Sequence, residues 1–184
     1  MTRLEAINPE ETTGSTSELF AGIKSKLGVV PNMMRTMGNS PALLEAYLNY
    51  SEALGHGTLG AKLGELIALV VAEANQCQYC ASAHTFIGKK MAGLDERKMA
   101  AARVLDSIDP KTDAALRFAY AQVEKRGRVS DEDIEHVRDA GFTDGEIGEI
   151  IGHVALNTLT NYFNNTALTE IDFPEVQLVS KSIV

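Results

Sequence analysis

The chain has 184 residues, 45% of them hydrophobic, and a formal net charge of −8 at pH 7. That length and hydrophobic content fit a globular domain with a substantial core and exclude an intrinsically disordered chain. The acidic balance argues against a nucleic-acid partner and against docking on anionic membrane, both of which require a basic face.

Residues 1–14 carry Pro9, Gly14 and several Thr and Glu, and read as an extended arm. They lack the apolar core of a signal peptide, and no apolar run later in the chain approaches the roughly eighteen residues of a membrane span. A cytoplasmic protein is therefore expected. A first helix is predicted over 17–27, with Leu19, Phe20, Ile23 and Leu27 on one stripe and Gly28 and Pro31 ending it. The following VVPNMMRTMGNSP reads as a short apolar segment in which Met33, Met34 and Met37 fill gaps.

Ser40 before Pro41 is an N-cap followed by proline at the first helical position, and Leu43, Leu44, Tyr47, Leu48 and Leu54 continue the stripe. Thr58 can cap the next helix, which runs from Leu59 to about Asn75 and is apolar nearly all round except at Glu65 and Glu73. A helix without a polar face is a buried one, and a carboxylate inside it is costly unless paired or protonated. The pattern restarts near Cys77 and continues to Met91. Further helices are predicted over 95–105 and 110–126, then from Ser130 to Gly141 and from Thr143 towards Thr166, the last two opened by capping-box sequences. Ile171-Asp172-Phe173-Pro174 begins an apolar tail, 170–184, packed on the domain or laid across a partner subunit. No strand alternation appears, so the expectation is a single all-α domain over 1–184, a multi-helix bundle of roughly seven to eight helices.

The chemistry concentrates between Glu65 and His84. Both cysteines of the protein, Cys77 and Cys80, form a C-x-x-C pair, with His84 four residues after the second. A disulfide across so short a loop is a poor structural staple, whereas cysteine pairs in a reducing compartment are more often catalytic or metal-binding. If a helix begins near Cys77, that residue lies in its first turn, where free N–H groups and the helix dipole stabilise a thiolate. Cys80 and His84 share one helix face and can meet, so the histidine can exchange the thiol proton. Only a sharp turn around Gln76 would return Glu65 to His84. The Tyr79 hydroxyl could relay a proton or fix a substrate oxygen.

A thiol poised this way attacks a peroxide and becomes a sulfenic acid, which the neighbouring cysteine condenses to a disulfide for an external dithiol to reduce. Cys80 is assigned as the attacking thiol and Cys77 as the resolving one, and the reverse order of thioredoxin-type pairs stays open. Three duller readings compete: a structural zinc on Cys77, Cys80, His84 and an acid; haem attachment, which fails because Ala81 follows the pair; and inert buried thiols. His56 reads as an exposed turn residue, His136 as part of a solvated face and His153 as a core histidine. Asn157, Asn161, Asn164 and Asn165 could line a pocket or serve polar helix packing.

At these residues the sequence resembles the alkyl hydroperoxidase D (AhpD)-like branch of the carboxymuconolactone decarboxylase superfamily. The pattern is Glu65, eleven residues, Cys77-x-Tyr79-Cys80, three residues, His84, supported by Val30-Pro31-Asn32 and by Asn161-Tyr162 through Asp172-Phe173-Pro174 in a peroxidase-related group. The resemblance implies an AhpD-like helical bundle assembled as homotrimers or homohexamers, with the site near subunit contacts. It implies hydroperoxide reduction through Glu65, Cys77, Cys80 and His84, with no metal or organic cofactor. The implied electron donor is an external dithiol, a lipoyl or thioredoxin-like protein. Tyr79 departs from the best-known members, which carry histidine there. The rival reading is a non-catalytic redox-responsive oligomer or a general disulfide reductase; a decarboxylase fits less well, because those relatives generally lack the cysteine pair.

Overall fold

The computed structural model describes residues 1–107 and 109–179. Among the described residues the chain is all-α, with nine helices and no strand. They are α1 (Gly14–Leu27), α2 (Asn32–Met37), α3 (Pro41–Gly55), α4 (Gly60–Ala74), α5 (Gln78–Lys90), α6 (Glu96–Arg103), α7 (Pro110–Glu124), α8 (Asp131–Asp139) and α9 (Asp144–Ala167). The helix beyond the expected seven to eight is α2. Its six residues are too few to display a period, yet Met33 and Met37, one turn apart, are both buried.

Several helix starts obey their local chemistry. Ser40 accepts the Leu43 N–H at 3.3 Å, and full capping boxes join Ser130 to Asp133 and Thr143 to Glu146. The start of α4 departs from expectation. Thr58 does not cap it; the Glu149 carboxylate of α9 accepts the N–H groups of Thr58 and Leu59 at 2.8 and 3.0 Å, and the Thr58 hydroxyl besides. A carboxylate there complements the positive end of the α4 dipole as well as filling its free donors.

Helix α4 is the axis of the molecule and packs against α5, α6, α7 and α9. Every residue from Leu66 to Glu73 is buried. Leu69, Val70, Phe118, Val137 and Ile150 belong to one apolar cluster, and Phe20, Met37, Leu44, Ala72 and both cysteines to another. Full burial of side chains such as Ile67 or Leu69 contributes roughly 1.5–3 kcal/mol apiece.

The buried Glu73 is paired, as the physics of a carboxylate inside α4 demands. Arg103 of α6 forms an ion pair with it, and the Val179 N–H donates to its other oxygen at 3.0 Å. The segment after α9 thus packs on its own chain as far as residue 179. The Val176 N–H donates to Ser82 Oγ at 3.0 Å, and the Asn32 N–H donates to Asp172 at 2.7 Å. The remainder of the expected tail, 180–184, lies outside the described residues. Among the described residues no helix is long and apolar enough to cross a membrane.

Candidate active site

The site is made by the reversal between α4 and α5. Gln76 takes a left-handed backbone, φ 54°, which costs a non-glycine residue about 1 kcal/mol. Two backbone bonds hold the reversal: Gln76 N–H donates to the Glu73 carbonyl at 3.1 Å, and Cys77 N–H to that of Ala72 at 2.8 Å. From α9, Asn165 Nδ2 donates to the Asn75 carbonyl at 2.9 Å. The turn folds α5 back along α4, so the sharp bend that the sequence required around Gln76 is present.

Cys77 stands one position earlier relative to the helix than expected. It is the N-cap of α5, not a first-turn residue, and its Sγ accepts the Cys80 N–H at 3.3 Å. Both thiols are free and buried. The Cys77 thiol donates to Cys80 Sγ, with the two sulfurs 2.6 Å apart. Asn164 Nδ2 of α9 donates to the same Cys80 sulfur at 3.3 Å.

These contacts split the two thiols. Burial alone would raise Cys80, but the hydrogen bond from Cys77, the charge of His84 and the amides of Asn164 and Asn161 bring it down to about 7. Cys77 moves the other way, pushed up by its bond to Cys80, by burial and by the Cys80 charge. One thiol is set up as the thiolate and its neighbour as the proton donor.

His84 lies one turn beyond Cys80 on α5, and its Nδ1 is 2.9 Å from Glu65 Oε2 on α4. Burial would depress the imidazole, but the Glu65 charge and hydrogen bond, then Cys80 and Asn157, raise it above its ordinary value. His84 thus bears on Cys80 through charge, its protonated form favouring the thiolate.

The Tyr79 hydroxyl is engaged elsewhere. It donates to Asp172 at 2.9 Å and accepts the Met33 N–H at 3.1 Å, and its ring meets Phe173 edge-on at 5.8 Å. It ties α5 to α2 and to the segment after α9. Burial, reinforced by Asp172, raises its pKa.

Cys80, Glu65 and His84 open onto a cavity of about 280 Å³ whose other walls are mostly apolar, among them Met33, Tyr47, Ala68, Phe86, Ile87 and Phe173. His153, expected to be a core residue, stands on this wall and is only part-buried. Its ring lies against Gly64, where an added Cβ would approach it to 2.9 Å. Burial lowers its pKa, so it is largely neutral at pH 7. Tyr47, read in the sequence as part of an apolar stripe, lines the cavity close enough to Cys80 and Glu65 for both to raise it further after burial. Asn157 also reaches the cavity. Only the spacing of the asparagines along one face of α9 signals them in the sequence. His56 and His136 are exposed, as expected, and neither lines the cavity. Among the described residues no three His, Cys, Asp or Glu side chains are arranged to hold a metal ion.

The carboxymuconolactone decarboxylase family model matches residues 41–125. A solved structure described as the alkylhydroperoxidase AhpD core, an uncharacterised peroxidase-related protein from Ralstonia eutropha JMP134, is 27% identical, with a TM-score of 0.83 over 93% of this chain and 92% of that one. By family match and by fold, the chain is similar to members of the AhpD/carboxymuconolactone decarboxylase superfamily. An uncharacterised peroxidase-related protein from Silicibacter sp. TM1040 shares the AhpD fold at 24% identity and TM-score 0.79, over 92% and 91% of the two chains. So does a cysteine-to-alanine variant of the debrominase Bmp8 in complex with 2,3,4-tribromopyrrole, at 22% identity and TM-score 0.76, over 93% and 90%. No curated protein matches the sequence. The segment matching the superfamily model spans α3 to α7 and holds Glu65, Cys77, Cys80 and His84, whereas the asparagines of α9 lie beyond it.

Proposed function

We propose that this AhpD-like protein is a thiol-dependent hydroperoxide reductase in which Cys80 attacks, Cys77 resolves, and His84 with Glu65 manages the proton. The observation that carries the reading is the split thiol pair, with Cys77 donating to a Cys80 sulfur held at about 7 on the floor of an apolar cavity. The Cys80 thiolate attacks the outer peroxide oxygen, forming an S–O bond as the O–O bond breaks. The departing alkoxide takes a proton from the His84 imidazolium and leaves as the alcohol. Cys77 then attacks the sulfenic sulfur; an S–S bond forms, the S–O bond breaks, and the Cys77 proton leaves with the oxygen as water. An external dithiol, a lipoyl or thioredoxin-like protein in the cytoplasm, restores both thiols by exchange. Tyr79 serves as a positioning residue that holds the cavity wall.

A homotrimer or homohexamer is proposed as the working unit. Leu27, Val29, Phe86 and Met91 support it, since all four are exposed and apolar at the cavity. Sedimentation of the purified protein measures it.

Steady-state peroxide consumption with dihydrolipoamide tests the reading. Turnover by the wild type that Cys80→Ser abolishes is expected, and turnover surviving that substitution would overturn it. Disulfide formation without turnover would favour a redox-responsive oligomer instead. Because the debrominase Bmp8 holds a brominated pyrrole on this fold, such a pyrrole belongs in the same assay as a second substrate.

A further inference from the structure

Asn161 and Asn164 stand one turn apart on α9 and are 0% and 3% exposed. The orientation of each amide is set by one bond. Asn75 Nδ2 donates to Asn161 Oδ1 at 3.1 Å, which leaves the Asn161 Nδ2 without a partner at full hydrogen-bond geometry, although it acts on Cys80 closely enough to help lower it. Asn164 Nδ2 donates to Cys80 Sγ, which leaves its Oδ1 free. Among the described residues those two free atoms, Asn161 Nδ2 and Asn164 Oδ1, are buried without a hydrogen-bond partner. Buried amides chosen for helix packing have their polar atoms satisfied, so a donor and an acceptor left open beside one sulfur call for a ligand.

We propose that Asn161 and Asn164 form an amide cradle for the Cys80 sulfur, stabilising its thiolate and then holding the oxygen added to it. A thiolate is an acceptor only, and takes the Asn164 N–H directly and the Asn161 N–H as the second donor. The second half rests on the peroxidase reading above. When the S–O bond forms and the O–O bond breaks, Cys80 becomes a sulfenic acid, a group with one O–H donor and an acceptor oxygen. Its O–H donates to Asn164 Oδ1, and its oxygen accepts from Asn161 Nδ2. The two open atoms match that group in number and polarity. The cradle holds the oxidised sulfur until Cys77 displaces the oxygen as water.

The thiolate half is tested in Cys77→Ser protein, where Cys80 is the only thiol, by following iodoacetamide alkylation against pH. Asn164→Leu and Asn161→Leu should each move the midpoint upward by about one unit and slow alkylation at pH 7 by about fivefold, the loss of one charge-assisted hydrogen bond. Asn164→Asp, of nearly the same shape, should move it further, because it sets a carboxylate against the thiolate. That variant also keeps the test decisive if a leucine variant does not fold. An unchanged midpoint in folded variants at both positions overturns the cradle. The sulfenic half is read by a carbon-acid trap at intervals after excess peroxide, the first equivalent giving the sulfenic acid and a second being the oxidant for any sulfinic acid. The Cys80 sulfenic acid should persist in Cys77→Ser protein and go on to sulfinic acid several-fold faster with Asn164→Leu; equal lifetimes would overturn that half. If no variant yields a sulfenic acid, the peroxidase reading fails, and with it the sulfenic half, while the alkylation midpoint still decides the thiolate half.

Discussion

Glu65 Oε2 and His84 Nδ1 lie 2.9 Å apart although nineteen residues separate them. The left-handed Gln76 brings them together by turning α5 back along α4. The Glu65 charge raises the imidazole, and the His84 charge in turn helps to lower Cys80. Glu65→Gln removes the charge that opposes burial at His84. Peroxide reduction at pH 7 should fall several-fold, because less of the imidazole then carries the proton that the departing alkoxide takes. Stability should follow the same group. His84 is raised in the folded state, so the pair stabilises fully below the unfolded histidine value of about 6.5, and the benefit is lost as pH rises through the folded value. Urea unfolding should therefore separate wild type from Glu65→Gln most at mildly acidic pH and least in alkali.

Cys80 shows the opposite sign. Its folded value of about 7 lies below that of a free thiol, so the thiolate forms as pH rises through about 7. Single-turnover peroxide reduction by wild-type protein should rise through a midpoint near that value and level off above it. A midpoint at the free-cysteine value of about 8.5 would show that the Cys77, His84 and asparagine contacts do not act on the sulfur.

Tyr79→Phe separates positioning from proton relay. The change strands the buried Met33 N–H and removes a donor to Asp172, so unfolding free energy should drop by about 1–3 kcal/mol. The pH midpoint of peroxide reduction should not move. A shifted midpoint with intact stability would restore the hydroxyl to the relay.

Arg103→Met removes the partner of a fully buried carboxylate. Breaking a buried pair from one side costs about 3–5 kcal/mol, and Glu73 would be left with the Val179 N–H as its remaining described partner. Denaturant unfolding should show that loss. Arg103→Met combined with Glu73→Leu should recover a large part of it, because the orphaned charge is gone.

What could be read from the sequence depended on how local its cause was. Ser40-Pro41 and the capping boxes at Ser130 and Thr143 involve residues within one turn, and all three stand as expected. So does the all-α class, because helical periodicity is written along each segment. Thr58 misled because the true cap, Glu149, is ninety-one residues away and nothing local announces it. Helix α2 was too short to show a period. The C-x-x-C spacing marked both cysteines, but Cys77 as N-cap or as first-turn residue differs by one position, which pattern alone does not resolve. Asn161 and Asn164 were visible only as polar residues on a helix face, because packing amides and site amides look alike until the sulfur beside them is placed. In the sequence His153 and Tyr47 read as core positions for the same reason, since a cavity wall and a core carry the same periodicity.

The central claim is that Cys80 is the thiol that meets the peroxide, and mass spectrometry on single-cysteine protein tests it most directly. After one equivalent of an alkyl hydroperoxide, Cys77→Ser protein should carry one added oxygen on Cys80, while Cys80→Ser protein should leave Cys77 unmodified over the same interval. An unmodified Cys80 in the first protein together with an oxidised Cys77 in the second would contradict the account.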